Sequence, residues 1–200
     1  LNAECFMLTP ATDVKLYRPM VKLAKALGAV GITALLYDPD AERVQSNFIQ
    51  LCEWAAECGL RVNIEFMPLA QQCHSLAETV AFIQTLSQSN VGIALDLLHL
   101  IRAGETPADV AAAPAELISY VQLSDSTDVT ANNTYGEEAG GNRLAPGEGR
   151  FPVVEFLQAL PSGIPIELEV PQCPGQESAW YRVSAIFAAA RREIERAGLY

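Results

Sequence analysis

Four apolar runs in this chain end on groups that can hold a cation or move a proton. Val91 to Leu100 reads VGIALDLLHL, delivering Asp96 and, three residues on, His99. RVNIEFMP places Glu65 after Val62 and Ile64, IPIELEVP places Glu169 between Leu168 and Val170, and YVQLSDS brings Gln122 and Asp125. A carboxylate left unpaired at the end of a buried apolar strand is costly. Acid and amide groups ending several such strands are what a metal site at the top of a parallel barrel needs. The intervals are 31 residues from Glu65 to Asp96, 26 to Gln122 and 47 to Glu169. The first two are the length of one βα unit, and the third also holds a long polar loop. Consecutive parallel strands would gather these ends at one mouth, where three carboxylates raise one another's pKa unless a cation neutralises them. Oxygen-dominated ligation favours a hard divalent ion, Mn²⁺ or Mg²⁺, over metals that select His and Cys.

Each residue taken alone also has a plainer role. A strand-terminal aspartate such as Asp96 often caps the next helix. Glu167 and Glu169 alternate with Ile166, Leu168 and Val170, so one of the two can point at solvent. Gln122 alone is an ordinary polar residue, and the joint pattern carries the metal reading. His99 is suited to donating to a substrate oxygen or shuttling a proton, or to a structural place in a first helical turn. His74, in the loop QQCHS, has no evident partner and is taken as structural. In NRLAPGEGRF, Pro146, Gly147 and Gly149 make a tight turn carrying Arg143 and Glu148. An arginine above a carboxylate-lined mouth suits a substrate's hydroxyl, carboxylate or phosphate oxygens. A plain βα loop with surface charges fits the same residues.

The elements that must position these groups follow from hydrophobic periodicity. Strands are expected at Leu1 to Leu8, Ala29 to Tyr37, Arg61 to Phe66, Val91 to Leu95, Ser119 to Leu123 and Ile164 to Val170. Helices are expected at Val14 to Leu27, Glu42 to Cys58, Ser75 to Leu86, Thr106 to Ala113, Phe151 to Leu160 and Ala179 to Ala197. Thr106 reads as an N-cap before Pro107, and Ser124 to Arg150 reads as a long polar segment. Strand alternating with helix means βα units and a parallel sheet, its strands apolar nearly end to end because both faces are covered. Six units fit a doubly wound sheet or part of an eight-stranded barrel, but the Gly-rich phosphate fingerprint of a dinucleotide fold is absent after the first strand. A full barrel typically needs about 250 residues. The expected fold is therefore α/β, a parallel (β/α) barrel of TIM type with about six of its eight units, in one domain over residues 1–200. Leu1 is not an initiator methionine, and the first two βα units are expected to be missing.

The bulk composition narrows the partners. Half of the 200 residues are apolar and 18% are charged, as in a globular chain. A net charge of −11 argues against a nucleic-acid backbone as partner. No apolar run is long enough for a membrane span, and nothing at the start reads as a signal peptide. The five cysteines, Cys5, Cys52, Cys58, Cys73 and Cys173, form no CxxC pair and read as small buried thiols of a cytoplasmic protein.

In order, the runs NIEFMP, ALDLLH, YVQLSD, R-x-x-PGEG and IELEVP resemble the xylose isomerase-like TIM-barrel superfamily, more narrowly its sugar phosphate isomerase/epimerase group. The resemblance spans AECFMLTP to the final helix. It implies one divalent metal held by Glu65, Asp96, Gln122 and Glu169, with Gln122 standing where the family has a histidine. It also implies substrate contacts at His99 and Arg143. Glu65 and Glu169 would be the catalytic pair, exchanging a proton beside a carbonyl that the metal polarises. The implied activity is a metal-dependent isomerase or epimerase of a keto-sugar, sugar acid or inositol derivative. Alternatives are a lyase dehydrating a keto-acid through the same enolate, or a decayed site that only binds sugars. The superfamily's DNA-repair branch is disfavoured by the acidic charge and by having only two histidines. The partner is a small molecule, and homo-oligomerisation stays open.

Overall fold

In the computed structural model, residues 1–128, 135–172 and 178–199 are described. They form two compact units, residues 1–94 with 116–119, and residues 95–115 with 120–200.

The first unit is built on four strands: β1 (Asn2–Leu8), β2 (Gly31–Leu36), β3 (Arg61–Glu65) and the start of β4 (Val91–Asp96). They pair in chain order and in parallel, with Ala34 opposite Ile64 and Glu65 opposite Ala94. β2 is buried along its whole length, as a strand covered on both faces must be. α1 (Tyr17–Ala26) and α2 (Ala41–Glu57) lie between these strands in sequence. The Asp40 side chain caps α2 by accepting from the Arg43 amide. α2 buries Val44, Phe48, Leu51, Cys52, Trp54 and Ala55 along one stripe. Each such large apolar side chain contributes about 1.5–3 kcal/mol when fully withdrawn from water. α3 (Leu76–Gln84) starts at Ser75, whose hydroxyl accepts from the Glu78 amide. His74 packs no core: its Nδ1 and its amide both meet Glu78 at this helix start, the structural role expected of it.

Leu16, Met20, Leu23 and Leu27, apolar residues at helical spacing, are 45–68% exposed, and α1 buries Val21 and Ala24. Periodicity defines a face, but not what covers it. Cys5, expected to be buried, is exposed at a register shift in β1 and has φ of +68°. A bulge turns such a side chain off the sheet's regular alternation. Cys52 and Cys73 are buried, which pushes both thiols up to about 12, while Cys58 is half-buried. Cys173 lies outside the described residues.

The second unit receives the last residues of β4 and adds α4 (Leu97–Arg102), α5 (Pro107–Ala112), β5 (Ile118–Leu123), α6 (Tyr135–Gly141), α7 (Val153–Ala159), β6 (Ile166–Leu168) and α8 (Ala179–Arg196). Ile118 and Ser119, at the start of β5, group with the first unit. β5 and β6 are parallel, with Gln122 opposite Glu167. β6 is shorter than the expected Ile164 to Val170. Thr106 and Asp109 make a capping box ahead of α5, with Pro107 in the first turn as expected. The long polar segment is not structureless. It contains α6 and a turn wrapped around Asp125.

Candidate functional site

Asp96 closes β4 and opens α4. Its Oδ1 accepts from the Leu98 amide at 2.7 Å, so the capping role is real. Its Oδ2 accepts from Arg143 Nη1 at 2.5 Å and lies 3.6 Å from His99 Nε2. The carboxylate is fully buried. Burial alone would raise its pKa, but the charges of Arg143 and His99, with the Arg143 and Leu98 hydrogen bonds, hold it below the ordinary carboxylate value. Capping and ion pairing occupy different oxygens of the same group.

Arg143, expected on a loop above the strand-end acids or on a plain surface loop, is only 2% exposed. Its Nη1 also donates to the Glu169 carbonyl at 3.3 Å, its Nε to the Ala139 carbonyl at 3.2 Å, and its Nη2 lies 3.6 Å from Glu169 Oε1. One guanidinium thus stands between the carboxylates ending β4 and following β6. It is held there because residues 142–144 pair outward on both sides: Arg143 N donates to the Pro171 carbonyl, and Leu144 exchanges backbone bonds with Asp125.

Asp125 explains the PGEG turn. Its Oδ2 accepts from the Gly147 and Gly149 amides at 3.0 and 2.9 Å, and its Oδ1 from Phe151 and Ser126 at 2.8 Å each. Four amide donors on one carboxylate hold the loop to the end of β5. Gly147 has φ of +82°, and a Cβ on Gly149 would run into the Ser126 carbonyl and Asp125. Both glycines are needed, one for its backbone conformation and one for close approach. Asp125 is therefore a structural acid.

His99 lies in α4 with its ring buried, Nδ1 2.8 Å from Tyr135 Oη and the two rings edge to face at 5.8 Å. One helical turn on, Arg102 forms a two-pronged ion pair with Glu138 of α6, at 2.8 and 2.7 Å. It also donates to Ser126 Oγ and the Asp128 carbonyl and stacks on Phe151 at 5.2 Å. Ser126 Oγ completes the cluster by bonding to Glu138. Burial raises the Glu138 pKa, but Arg102 and Ser126 more than reverse that, leaving it lowered. Tyr135, Glu138 and Arg102 are not evident from strand-end reasoning. The signal was present in LLHLIR, because an arginine inside an apolar run must find a buried partner.

The second unit thus brings Asp96, His99, Arg143 and Glu169 together. Gln122 is buried in the same unit, on β5. Glu65 is the last residue of β3 in the first unit, 8% exposed. Asp96, Gln122 and Glu169 are oxygen donors throughout, which fits a hard divalent cation.

Parallel βα units with acids at the strand ends define a class of barrel enzymes. The chain belongs to the xylose isomerase-like TIM barrel family, whose description matches residues 11–190. Its six described strands are those of a parallel (β/α) barrel of TIM type. It is 30% identical over 148 residues to a 3-dehydroshikimate dehydratase of Pseudomonas aeruginosa, a match covering 72% of this chain and 22% of that protein. The match thus spans under a quarter of that relative's length. A xylose isomerase domain protein from Alicyclobacillus acidocaldarius superposes with a TM-score of 0.80 at 24% identity, covering 98% of this chain and 77% of that one. The IolI protein with a zinc atom superposes with a TM-score of 0.73 at 17% identity, covering 98% and 75%. No described helix is long and apolar enough to cross a membrane.

Proposed function

We propose that this chain, read as one xylose isomerase-like domain, carries the metal site of an enzyme that removes water from a hydroxy keto-acid of the 3-dehydroshikimate type. The observation that carries this reading is the 30% identity to a 3-dehydroshikimate dehydratase. Glu65, Asp96, Gln122 and Glu169 are the proposed ligands of one divalent ion, Mg²⁺ or Mn²⁺ by their oxygen chemistry. Such an ion, when bound, polarises the substrate carbonyl and stabilises the negative charge that develops on it. Asp96 is closed to solvent whereas the Glu169 side chain is 36% exposed, so Glu169 is the acid of the second unit that reaches substrate. In this reading Glu169 takes the proton from the carbon beside the carbonyl. The electron pair forms the new double bond, the C–O bond at the next carbon breaks, and the proton taken up by Glu169 leaves with the departing hydroxyl as water. Arg143, paired with Asp96 and 3.6 Å from Glu169, positions the two acids.

Epimerisation is the second reading, favoured by two strand-end glutamates, Glu65 and Glu169, that would serve as base on one face of the substrate and acid on the other. The test is to incubate the full-length protein and Mg²⁺ with 3-dehydroshikimate, and separately with a panel of ketoses in heavy water. Dehydration predicts growth of a conjugated product absorbance with the keto-acid and no deuterium in recovered ketoses. Deuterium in a ketose with no conjugated product would replace it by epimerisation. Glu169→Gln is expected to slow turnover by about 10²–10⁴ with an unchanged thermal melt.

A further inference from the structure

Polar side chains gather near the strand starts of the first unit. Arg61 and Asn63 stand two residues apart on β3 and so share one face of the sheet. Gly31 of β2 and Gly92 of β4 put no side chain on that face. A Cβ on Gly92 would collide with Arg61 Nε, Asn63 Oδ1 and Ser119 Oγ, and one on Gly31 would stand 2.9 Å from both Asn2 Oδ1 and Asn63 Nδ2. The bare backbone at Gly92 has a use, because Arg61 reaches across it. Arg61 Nη2 donates to the Val91 carbonyl at 2.9 Å and to the Glu116 carbonyl, just ahead of β5, at 2.7 Å. Those two bonds leave the inner edge of the guanidinium unserved. Among the described residues, Arg61 Nε, Asn63 Oδ1 and Ser119 Oγ are buried without a hydrogen-bond partner, and Asn63 is only 1% exposed. A buried polar atom left unpaired is rare and costly. Here three of them meet over one glycine.

We propose that Arg61, Asn63 and Ser119 hold one buried water molecule, which accepts from Arg61 Nε–H, donates to Asn63 Oδ1 and exchanges a hydrogen bond with the Ser119 hydroxyl. The donor set selects this ligand. A cation is excluded by the guanidinium, which can only donate. An anion would face the Asn63 carbonyl oxygen, because the amide nitrogen of that side chain is turned to Gly31 and Asn2 Oδ1. A neutral molecule that both donates and accepts satisfies all three groups, and water is the smallest. Two to four polar partners are what a buried water requires. Its place is also where the sheet needs a link. Gly92 contributes no side chain between β3 and β5, and the water would join Asn63 to Ser119 beside the bridge that Arg61 makes to the backbone.

The test uses the full-length protein labelled with ¹³C at glycine and reads Overhauser contacts between carbon-bound protons and water. One Gly92 Hα lies in the direction of the absent Cβ, faces the three polar atoms and does not exchange with solvent. A contact between that proton and the water signal is expected. It is expected to persist in Ser119→Ala, where Arg61 and Asn63 still hold the molecule. No contact in the wild type overturns the proposal. Loss of the contact in a folded Ser119→Ala overturns it too, since the wild-type signal then came from the exchanging hydroxyl. Removal of the contact by added sodium chloride would give the site to an anion and reject water. Water ¹⁷O relaxation, which does not see the serine hydroxyl, is the second measurement. Its dispersion amplitude is expected to fall by one long-lived water in Asn63→Leu, which removes the acceptor and fills the space, and an unchanged amplitude in that variant overturns the proposal.

Discussion

Arg143 and Asp96 show how a buried charge is tolerated. The carboxylate has no contact with water, and its stability depends on the guanidinium at 2.5 Å and the Leu98 amide. Removing one partner of such a pair typically costs about 3–5 kcal/mol, because the other is left buried and uncompensated. Arg143→Met should therefore lower the urea midpoint strongly. Asp96→Asn combined with Arg143→Met should recover part of that loss, a coupling that a double-mutant cycle reads directly. Additive losses in the cycle would mean that the two charges act independently. Glu65, Asp96 and Glu169 stand out in the sequence because each interrupts an apolar run. The partners they take do not, since Arg143 reads equally well as a surface charge until the backbone bonds to Pro171 and Asp125 draw it inward.

Among the described helices, α4 and α6 are absent from the expected set, and for α6 the reason is physical. Its composition disfavours helix, and it forms because tertiary bonds from Tyr135 and Glu138 outweigh propensity. Strands and amphipathic helices with local signals, such as α2 and α5, were readable to within a few residues. The bond holding α6 has a pH signature. Glu138 titrates below its ordinary value near 4.5, so the folded state binds fewer protons than the unfolded chain just below that pH. Its contribution is fully present above about 4.5 and is lost as pH falls through the lowered value. Glu138→Gln should thus be less stable than wild type at neutral pH, with the gap narrowing below pH 4.5. A constant gap from pH 7 to 3 in denaturant titrations would contradict this.

At the scale of the whole molecule, two apolar rows are exposed among the described residues. Leu16, Met20, Leu23 and Leu27 line α1 and its approaches, and Trp180, Val183 and Phe187 line α8, with exposures up to 80%. Contiguous apolar rows of this length are unusual on a monomer surface. This 200-residue chain is expected to bind the dye ANS in its folded state, and Met20→Lys with Leu23→Glu should reduce that signal without lowering the melting temperature. The Asp125 anchor bears on the molecule differently. Its carboxylate ties the end of β5 to Phe151 at 2.8 Å, so the chain between them leaves and returns at one point. For a flexible loop pinned at its ends, doubling the length costs only about 0.6 kcal/mol. Tyr135, Glu138 and Arg143 all ride on this excursion, while Asp96 and Gln122 stand on the strands. The length of the excursion is therefore cheap to change, whereas Arg143 and Glu138 are not, because each neutralises a buried charge on the β4–α4 segment.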